Sequence, residues 1–169
     1  MKTALALDLG TDTGYALGAL MPGTRPHTVG TWKLGTAKEI CEWGTRRITR
    51  RCDPRVSRFF HNLIAIQHDV RPEIVVFEDV QFASSTYQVQ LWASFRGAIW
   101  CAFGGSAIVE CVPTGTLKKF ATGHGGATKQ MMKTSLFKLC PEWKSANLSD
   151  DAIDAIWVWN WAEAHLSRA

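Results

Sequence analysis

The chain contains no long apolar run, and its opening residues are not expected to form a signal segment. A membrane-spanning helix needs about 20 consecutive apolar residues, so no membrane span is predicted. The opening MKTALALDLG carries only a short apolar run that Asp8 interrupts, unlike a secretory signal peptide. The five cysteines include no Cys-x-x-Cys pair, which argues against a disulfide framework and a zinc ribbon. We therefore expect a reducing, cytoplasmic location.

A strong excess of one charge is also missing. Lys and Arg number 19 and Asp and Glu 15, for a net charge of +4 at pH 7. This mild basicity allows a polyanionic partner without requiring one. With 169 residues, 46% of them hydrophobic, the chain can bury a core without disulfides or a structural metal. No internal repeat or linker is evident, so residues 1–169 are predicted to form one domain.

Short apolar segments and helical periodicities follow one another along the chain. Short connections between the first three predicted strands indicate an antiparallel meander. The pattern predicts an α/β fold, a mixed sheet of about five strands flanked by helices. The predicted strands cover 3–9, 14–20, 28–34, 73–77 and 107–112, and the predicted helices cover 53–70, 85–103, 114–121, 129–139 and 149–166.

Acidic residues stand at the ends of two apolar strands and near the start of the last helix. Asp8 lies near the end of the first strand, and Glu78 follows the most apolar one. Asp151 and Asp154 have i, i+3 spacing, which puts them on one helix face. If the two strands are neighbours, all four carboxylates can meet. Asp150 and Asp154, at i, i+4, are an equally suitable pair by periodicity alone.

Clustered carboxylates raise one another's pKa, and a divalent cation removes that cost. Hard oxygen ligands favour Mg²⁺ or Mn²⁺ over Zn²⁺. Two such ions stabilise both the attacking and the leaving oxygen in phosphoryl displacement. Each acid also has a structural interpretation: a turn at Asp8, a solvated strand end at Glu78, and first-turn acids favoured by the helix dipole behind Ser149.

Five segments, taken in order, resemble the motifs of RuvC-type Holliday junction resolvases. The first-strand motif is A-L-D-L-G-T-D-T-G-Y-A-L at 6–17, and V-V-F-E-D-V-Q-F at 75–82 resembles the second. D-A-I-D-A-I at 151–156 resembles the C-terminal Asp-x-x-Asp-Ala motif. The resemblance extends to A-S-F-R-G-A at 93–98 and to the Lys-containing stretch 117–129.

The resemblance implies an RNase H-like nuclease domain that acts as a homodimer. The implied reaction is metal-dependent nicking of two opposing strands of a four-way DNA junction, with two Mg²⁺ ions in each active site and Mn²⁺ as the alternative. The implied catalytic and metal-binding residues are Asp8, Glu78, Asp151 and Asp154, so the resemblance favours Asp151 over Asp150.

The sequence departs from the family pattern at two points. Leu9 stands where members often carry proline. Where a phenylalanine of known members stacks on unpaired junction bases, this chain has Gln81, and Phe82 follows it. A shift of one residue would let Phe82 stack on bases, with Tyr87 as the other aromatic residue available.

Basic residues supply further candidates for DNA contact. Lys118, Lys119 and Lys129 flank a glycine-rich stretch at 123–126, an arrangement that suits a DNA channel beside the acids and is also compatible with an ordinary turn. The arginines before and within the first long helix either contact phosphates or form a solvated face. They are Arg46, Arg47, Arg50, Arg51, Arg55 and Arg58, of which Arg50 and Arg51 are the selected DNA-binding candidates.

Other functions share parts of this pattern. Another RNase H-like nuclease, acting on RNA–DNA hybrids or other branched DNA, would use the same acids. An actin-like or sugar-kinase-like ATPase is a weaker alternative. The segment D-L-G-T-D-T-G at 8–14 resembles its first phosphate loop, but the second such loop is not found. A non-catalytic branched-DNA binder would not need four acids.

Overall fold

Strands and helices alternate along the chain in the order that the hydrophobic pattern predicts. The computed structural model describes residues 2–39, 53–80 and 85–167. All ten predicted elements are present within two residues of their predicted ends, and a 3₁₀ helix adds to them. In chain order they are β1 (Lys2–Asp8), β2 (Asp12–Leu20), β3 (Thr28–Lys33), α1 (Pro54–Asp69), β4 (Ile74–Asp79), α2 (Thr86–Phe103), β5 (Ile108–Pro113), α3 (Thr114–Thr122), α4 (Lys129–Leu139), the 3₁₀ helix (Pro141–Ser145) and α5 (Asp150–Leu166).

The described residues form a five-stranded mixed sheet with the order β3-β2-β1-β4-β5. The first three strands make the predicted antiparallel meander. β4 then pairs with β1 in parallel, and β5 pairs with β4 in parallel. A parallel neighbour needs a crossover connection, and the segments containing α1 and α2 provide the two crossovers. β1 and β4 are therefore neighbours in the sheet. This is the arrangement that the predicted meeting of Asp8 and Glu78 requires.

The alternation of side chains along β1 and β4 divides the core into two layers. Ala4 and Ala6 face the layer that holds α3, α4 and α5, whereas Leu5 and Leu7 face α1 and α2. The small alanines leave room for the indole of Trp159, which is 0% exposed. On the other side the buried rings are those of Phe59, Phe77, Phe95 and Phe103.

The tryptophans of α5 are core residues. Trp157 and Trp159 are both buried, and Trp161 packs against the same layer while remaining partly exposed. The Trp157 indole N–H donates to the Met132 carbonyl at 3.1 Å, so it links α5 to α4. α5 is thus held firmly against the sheet, which matters because it also carries two of the candidate acids. The described part of the chain contains no helix with the length and hydropathy needed to cross a bilayer.

Two arginines considered as phosphate contacts have structural roles. Arg55 is 3% exposed, and its guanidinium forms a salt bridge with Asp53 at 2.7 Å. It also donates to the hydroxyls of Thr11, at 3.1 Å, and Tyr87. Burial and these partners leave Arg55 unable to contact DNA, so that interpretation is wrong for this residue. Tyr87 in turn donates to Asp53.

The second arginine, Arg58, pairs with Glu39 at 2.7 Å and donates to the Leu34 carbonyl at 2.7 Å, while remaining open to solvent. Four other arginines of the predicted cluster lie outside the described residues. They are Arg46, Arg47, Arg50 and Arg51.

The two arginines of α1 make a matched stability test. Arg55→Ala leaves the Asp53 carboxylate partly buried without that cation, and we expect a loss of about 3 kcal/mol in the free energy of unfolding. Arg58→Ala breaks an exposed pair and should cost much less. Urea unfolding of both variants measures the difference. Equal losses would contradict the structural role of Arg55.

Candidate active site

Four carboxylates converge at the carboxyl ends of the two central strands. Asp8 is the last residue of β1, and the register pairs Leu7 with Phe77, so Asp8 and Glu78 come next, side by side. Asp151 and Asp154 reach the same place from the first turns of α5. All four are half-buried and line one open cleft of about 330 Å³.

The two acids at the start of α5 have different surroundings. Ser149 caps the helix by accepting a hydrogen bond from the Ala152 backbone N–H at 3.1 Å. From this start, Asp151 lines the cleft together with Asp154. Asp150 is exposed and does not line it. Periodicity left Asp150 and Asp151 as alternatives, and the orientation of the first helical turn places Asp151 with the other acids.

The carboxylates of this cleft have too little positive charge around them to be fully ionised at low cost. Burial, followed by the charges of Glu78, Asp154 and Asp151, raises the pKa of Asp8 well above its ordinary value. Burial and the Glu78 charge raise the pKa of Asp154 to about 7. The pKa values of Glu78 and Asp151 are also raised, chiefly by burial. Such a set of raised pKa values is typical of functional sites.

Two lysines line the cleft and partly offset this negative charge. The Lys129 Nζ lies 3.8 Å from Asp151 Oδ1. Its charge lowers the pKa of each of the four acids. Lys118 lowers the pKa of Glu78. Lys119, the third predicted lysine, is exposed and does not line the cleft. The two adjacent lysines of α3 therefore have different surroundings, because Lys118 lines the cleft and Lys119 lies on the outer surface.

The donor set of the cleft fits a hard divalent cation. Four carboxylates supply only oxygen ligands, and a cation would offset the cost of ionising them in a partly buried site. Within 2–39, 53–80 and 85–167, however, no three His, Cys, Asp or Glu side chains are placed closely enough to hold one ion together. The fit to a metal therefore rests on the chemistry of the four carboxylates that line the cleft.

Residues that no sequence argument selected complete the cleft. Asp12 lines it and raises the pKa of Asp151 by its charge. The feature of the sequence that could have identified Asp12 is its position in T-D-T-G, four residues after Asp8. Trp92 and Thr114 also line the cleft. The Thr114 hydroxyl is buried without a hydrogen-bond partner among the described residues, yet lies near enough to Glu78 to lower its pKa.

Three predicted DNA-binding residues, Phe82, Arg50 and Arg51, lie outside the described residues. Val80, two positions before Phe82, lines the cleft.

The raised pKa of Asp154 predicts how the stability of the metal-free protein changes with pH. The pKa is about 7 in the folded protein against an ordinary value of 3.8. The folded state therefore holds this proton more tightly, and stability falls as pH rises from about 4 to about 7. Asp154→Asn removes the repulsion, so at pH 8 in EDTA we expect the Tm to rise by about 5 °C.

The control is Asp150→Asn, which neutralises an exposed acid in the same helical turn. It loses a favourable interaction with the helix dipole, so its Tm should not rise. Thermal unfolding from pH 4 to pH 8 distinguishes the two variants. A Tm of Asp154→Asn at or below that of the parent chain at pH 8 would refute the electrostatic account.

Comparisons with known proteins relate this arrangement to solved structures. No protein-family model matches the chain, and no curated protein matches it in sequence. The structure of T. thermophilus RuvC in complex with Holliday junction substrate is 19% identical, with a TM-score of 0.71 over 94% of this chain and 90% of that chain. A second Thermus thermophilus RuvC structure is 18% identical, with a TM-score of 0.63 over 96% and 95%.

The yeast mitochondrial Holliday junction resolvase Ydc2 is 12% identical, with a TM-score of 0.60 over 98% of this chain and 81% of that chain. At these identities the likeness establishes the fold. The predicted RNase H-like architecture is therefore confirmed: the chain has the fold of RuvC and of Ydc2 over nearly its whole length.

Proposed function

We propose that this protein is a structure-selective endonuclease that resolves four-way DNA junctions by divalent-metal-dependent hydrolysis. The observation that carries the proposal is the meeting of Asp8, Glu78, Asp151 and Asp154 in one cleft with two lysines. The chain shares its fold with RuvC, whose solved structure holds a Holliday junction substrate, and with Ydc2, a Holliday junction resolvase. This shared fold supports the choice of a four-way junction as substrate.

The four acids would hold Mg²⁺, with Mn²⁺ as the alternative and two ions as the proposed number. The chemistry that such ions supply when bound is activation of water and stabilisation of the leaving 3′ oxygen. The water oxygen forms a bond to phosphorus as the bond to the 3′ oxygen breaks. The products are a 5′-phosphate and a 3′-hydroxyl. The carboxylates would hold the ions between the ends of β1 and β4 and the first turns of α5.

Lys118 and Lys129 are proposed to neutralise the scissile phosphate. Both lysines line the cleft with the acids, and their charges lower the pKa of Glu78. Phe82 is proposed to stack on unpaired junction bases. Lys119 on the outer surface would contact DNA farther along the backbone, and Arg50 and Arg51 are proposed phosphate contacts. Backbone contacts of this kind position the substrate and make binding depend on salt. A cytoplasmic location is proposed because the cysteines do not form the pattern of a disulfide framework.

A homodimer is proposed because a junction needs two symmetric cuts, and two-fold symmetry supplies two identical sites. The outer face of α2 supports this assembly. Val89 and Trp100 on α2 are 50% and 57% exposed. Ala93 and Gly97 between them are small and would allow close approach of a second copy. The inner face of the same helix is committed to the core through Leu91, Phe95 and Ile99.

The decisive experiment is cleavage of a labelled mobile four-way junction in Mg²⁺. A linear duplex and an RNA–DNA hybrid of matched sequence serve as competing substrates. Asp8→Asn should abolish cleavage while junction binding persists, because it removes a ligand and leaves the basic surface intact. Asp150→Asn, outside the cleft, should cut normally.

Paired symmetric nicks on the junction alone would support a resolvase. Cleavage of the hybrid instead would keep the nuclease chemistry and replace the substrate. Absence of cleavage of every substrate would refute the nuclease proposal. Loss of both binding and cleavage in Asp8→Asn would indicate a folding role for that residue.

The lysines provide a second test with a built-in control. Lys118→Ala or Lys129→Ala should lower kcat by about 10²-fold, a typical cost of removing one group that stabilises transition-state charge. Lys119→Ala should leave kcat unchanged and weaken binding, with a shallower salt dependence. Single-turnover kinetics and salt titrations measure the two effects. An equal loss of kcat in all three variants would contradict the separate roles.

Metal binding should also appear as stabilisation. An ion that binds only the folded state raises its stability by mass action. We expect Mg²⁺ to raise the Tm of the parent chain, with a smaller increase for Asp8→Asn. Thermal unfolding across a Mg²⁺ titration checks this, and Asp150→Asn should respond like the parent chain. An unchanged increase in Asp8→Asn would count against Asp8 as a ligand.

A further inference from the structure

One row of residues runs across the sheet at the level of the acids. Thr31 of β3 is the register partner of Gly14 of β2, and Gly14 is the partner of Asp8 of β1. The row continues to Glu78 on β4, one position beyond the last paired residues of β1 and β4. Residues in one row of neighbouring strands point to the same face. Gly14 and Thr31 therefore share the face on which Asp8 meets α5.

The backbone of α5 passes close over Gly14. A Cβ atom built on Gly14 would lie 1.9 Å from the Asp151 carbonyl oxygen, 2.4 Å from its carbonyl carbon and 3.1 Å from the Ala152 nitrogen. The described glycines with positive φ are Gly23 and Gly123. The requirement at Gly14 is therefore for space, which the first turn of α5 occupies.

Thr31, the next residue of the row, contacts the residue that begins the same helix. Its hydroxyl lies 2.6 Å from the Ser149 hydroxyl. Ser149 in turn caps α5 through the Ala152 backbone N–H. The first turn of α5 is thus located from two sides: by backbone contact over Gly14 and by a hydroxyl pair with Thr31.

We infer that Gly14 and Thr31 are positioning residues for the acids of α5. They set how far Asp151 and Asp154 stand from Asp8 and Glu78 without contacting metal or DNA themselves. The inference rests on the proposed function, because it gives the four acids a shared metal. It adds that the spacing of this metal site is controlled by two uncharged residues on β2 and β3, the two strands that carry none of its four proposed ligands.

The distances give the expected size of the effect. Any side chain at Gly14 must move the Asp151 carbonyl from 1.9 Å to at least 3.0 Å, a displacement of about 1 Å. A displacement of this size at a catalytic site costs about 10²-fold in rate. Gly14→Ala should therefore weaken Mn²⁺ binding at least tenfold and slow junction cleavage by about 10²-fold.

Gly18→Ala is the matched control on the same strand. A Cβ atom there would meet Pro26 Cα at 2.8 Å, on the segment after β2 and away from the acids. We expect this variant to lose thermal stability while its Mn²⁺ affinity stays within about twofold of the parent chain. Mn²⁺ binding is measured by electron paramagnetic resonance on each protein well below its Tm.

Variants of Thr31 provide a second test of the inference, which can be used if Gly14→Ala fails to fold. Thr31→Val preserves shape and removes the hydroxyl, whereas Thr31→Ser keeps it. We expect Thr31→Val to weaken Mn²⁺ binding about threefold or more and to speed amide hydrogen exchange at residues 150–154, because the first turn opens more readily. Thr31→Ser should restore both properties. Thr28→Val, at the other end of β3, should change neither.

The outcomes separate this inference from the proposed function. Mn²⁺ bound equally by the parent chain, Gly14→Ala and Thr31→Val would overturn the inference and leave the metal site standing. Failure of the parent chain to bind Mn²⁺ at the acids would overturn the proposed function, and the inference with it. Equal losses in Gly14→Ala and Gly18→Ala would reduce Gly14 to a general folding role and also overturn the inference.

Discussion

Burial of neighbouring carboxylates at the ends of β1 and β4, with the repulsion of Asp8 and Asp154 by the acids around them, is the constraint on which the candidate site depends. The fold brings Asp8, Glu78, Asp151 and Asp154 together although each then becomes harder to ionise. Two lysines supply only part of the missing positive charge. The folding energy of the rest of the domain must therefore hold the acids in place against this cost, which a divalent cation would relieve.

α5 is the element through which packing in the core fixes the positions of two of the acids. Its middle is held by Trp157 and Trp159, which pack against the alanine face of the sheet. Its first turn carries Asp151 and Asp154 over Gly14. A rigid helix that is held by its core residues can impose unfavourable positions on the acids at its end. Core packing and site geometry are therefore linked through one element.

α2 has a comparable double role on the other face of the sheet. Its inner side packs into the core, and its outer side carries exposed apolar residues. Arg96 of this helix donates to Asp79 at 2.7 Å, and Asp79 directly follows Glu78. This ion pair neutralises a further acid next to the cluster. It also joins the helix proposed for dimer contact to the end of the strand that carries Glu78.

Much of this arrangement was predictable from local patterns. Hydrophobic periodicity located all ten main elements, because each must bury one face. Isolated acids such as Asp8 in an apolar strand are costly enough to signal a function. The same reasoning failed for Arg55, because a charge within a basic run looks solvated until the fold surrounds it with Asp53, Thr11 and Tyr87.

The sequence by itself determined the order of the elements and the four candidate acids, because strand and helix periods and charge are local properties. Only the tertiary structure decided that β1 and β4 are neighbours, that Asp151 lines the cleft and Asp150 does not, and that Lys118 and Lys119 face different ways. It also brought Asp12, Trp92 and Thr114 into the cleft and set α5 on Gly14. These are distances between residues far apart in the chain, and they follow from how the two core layers pack against the sheet.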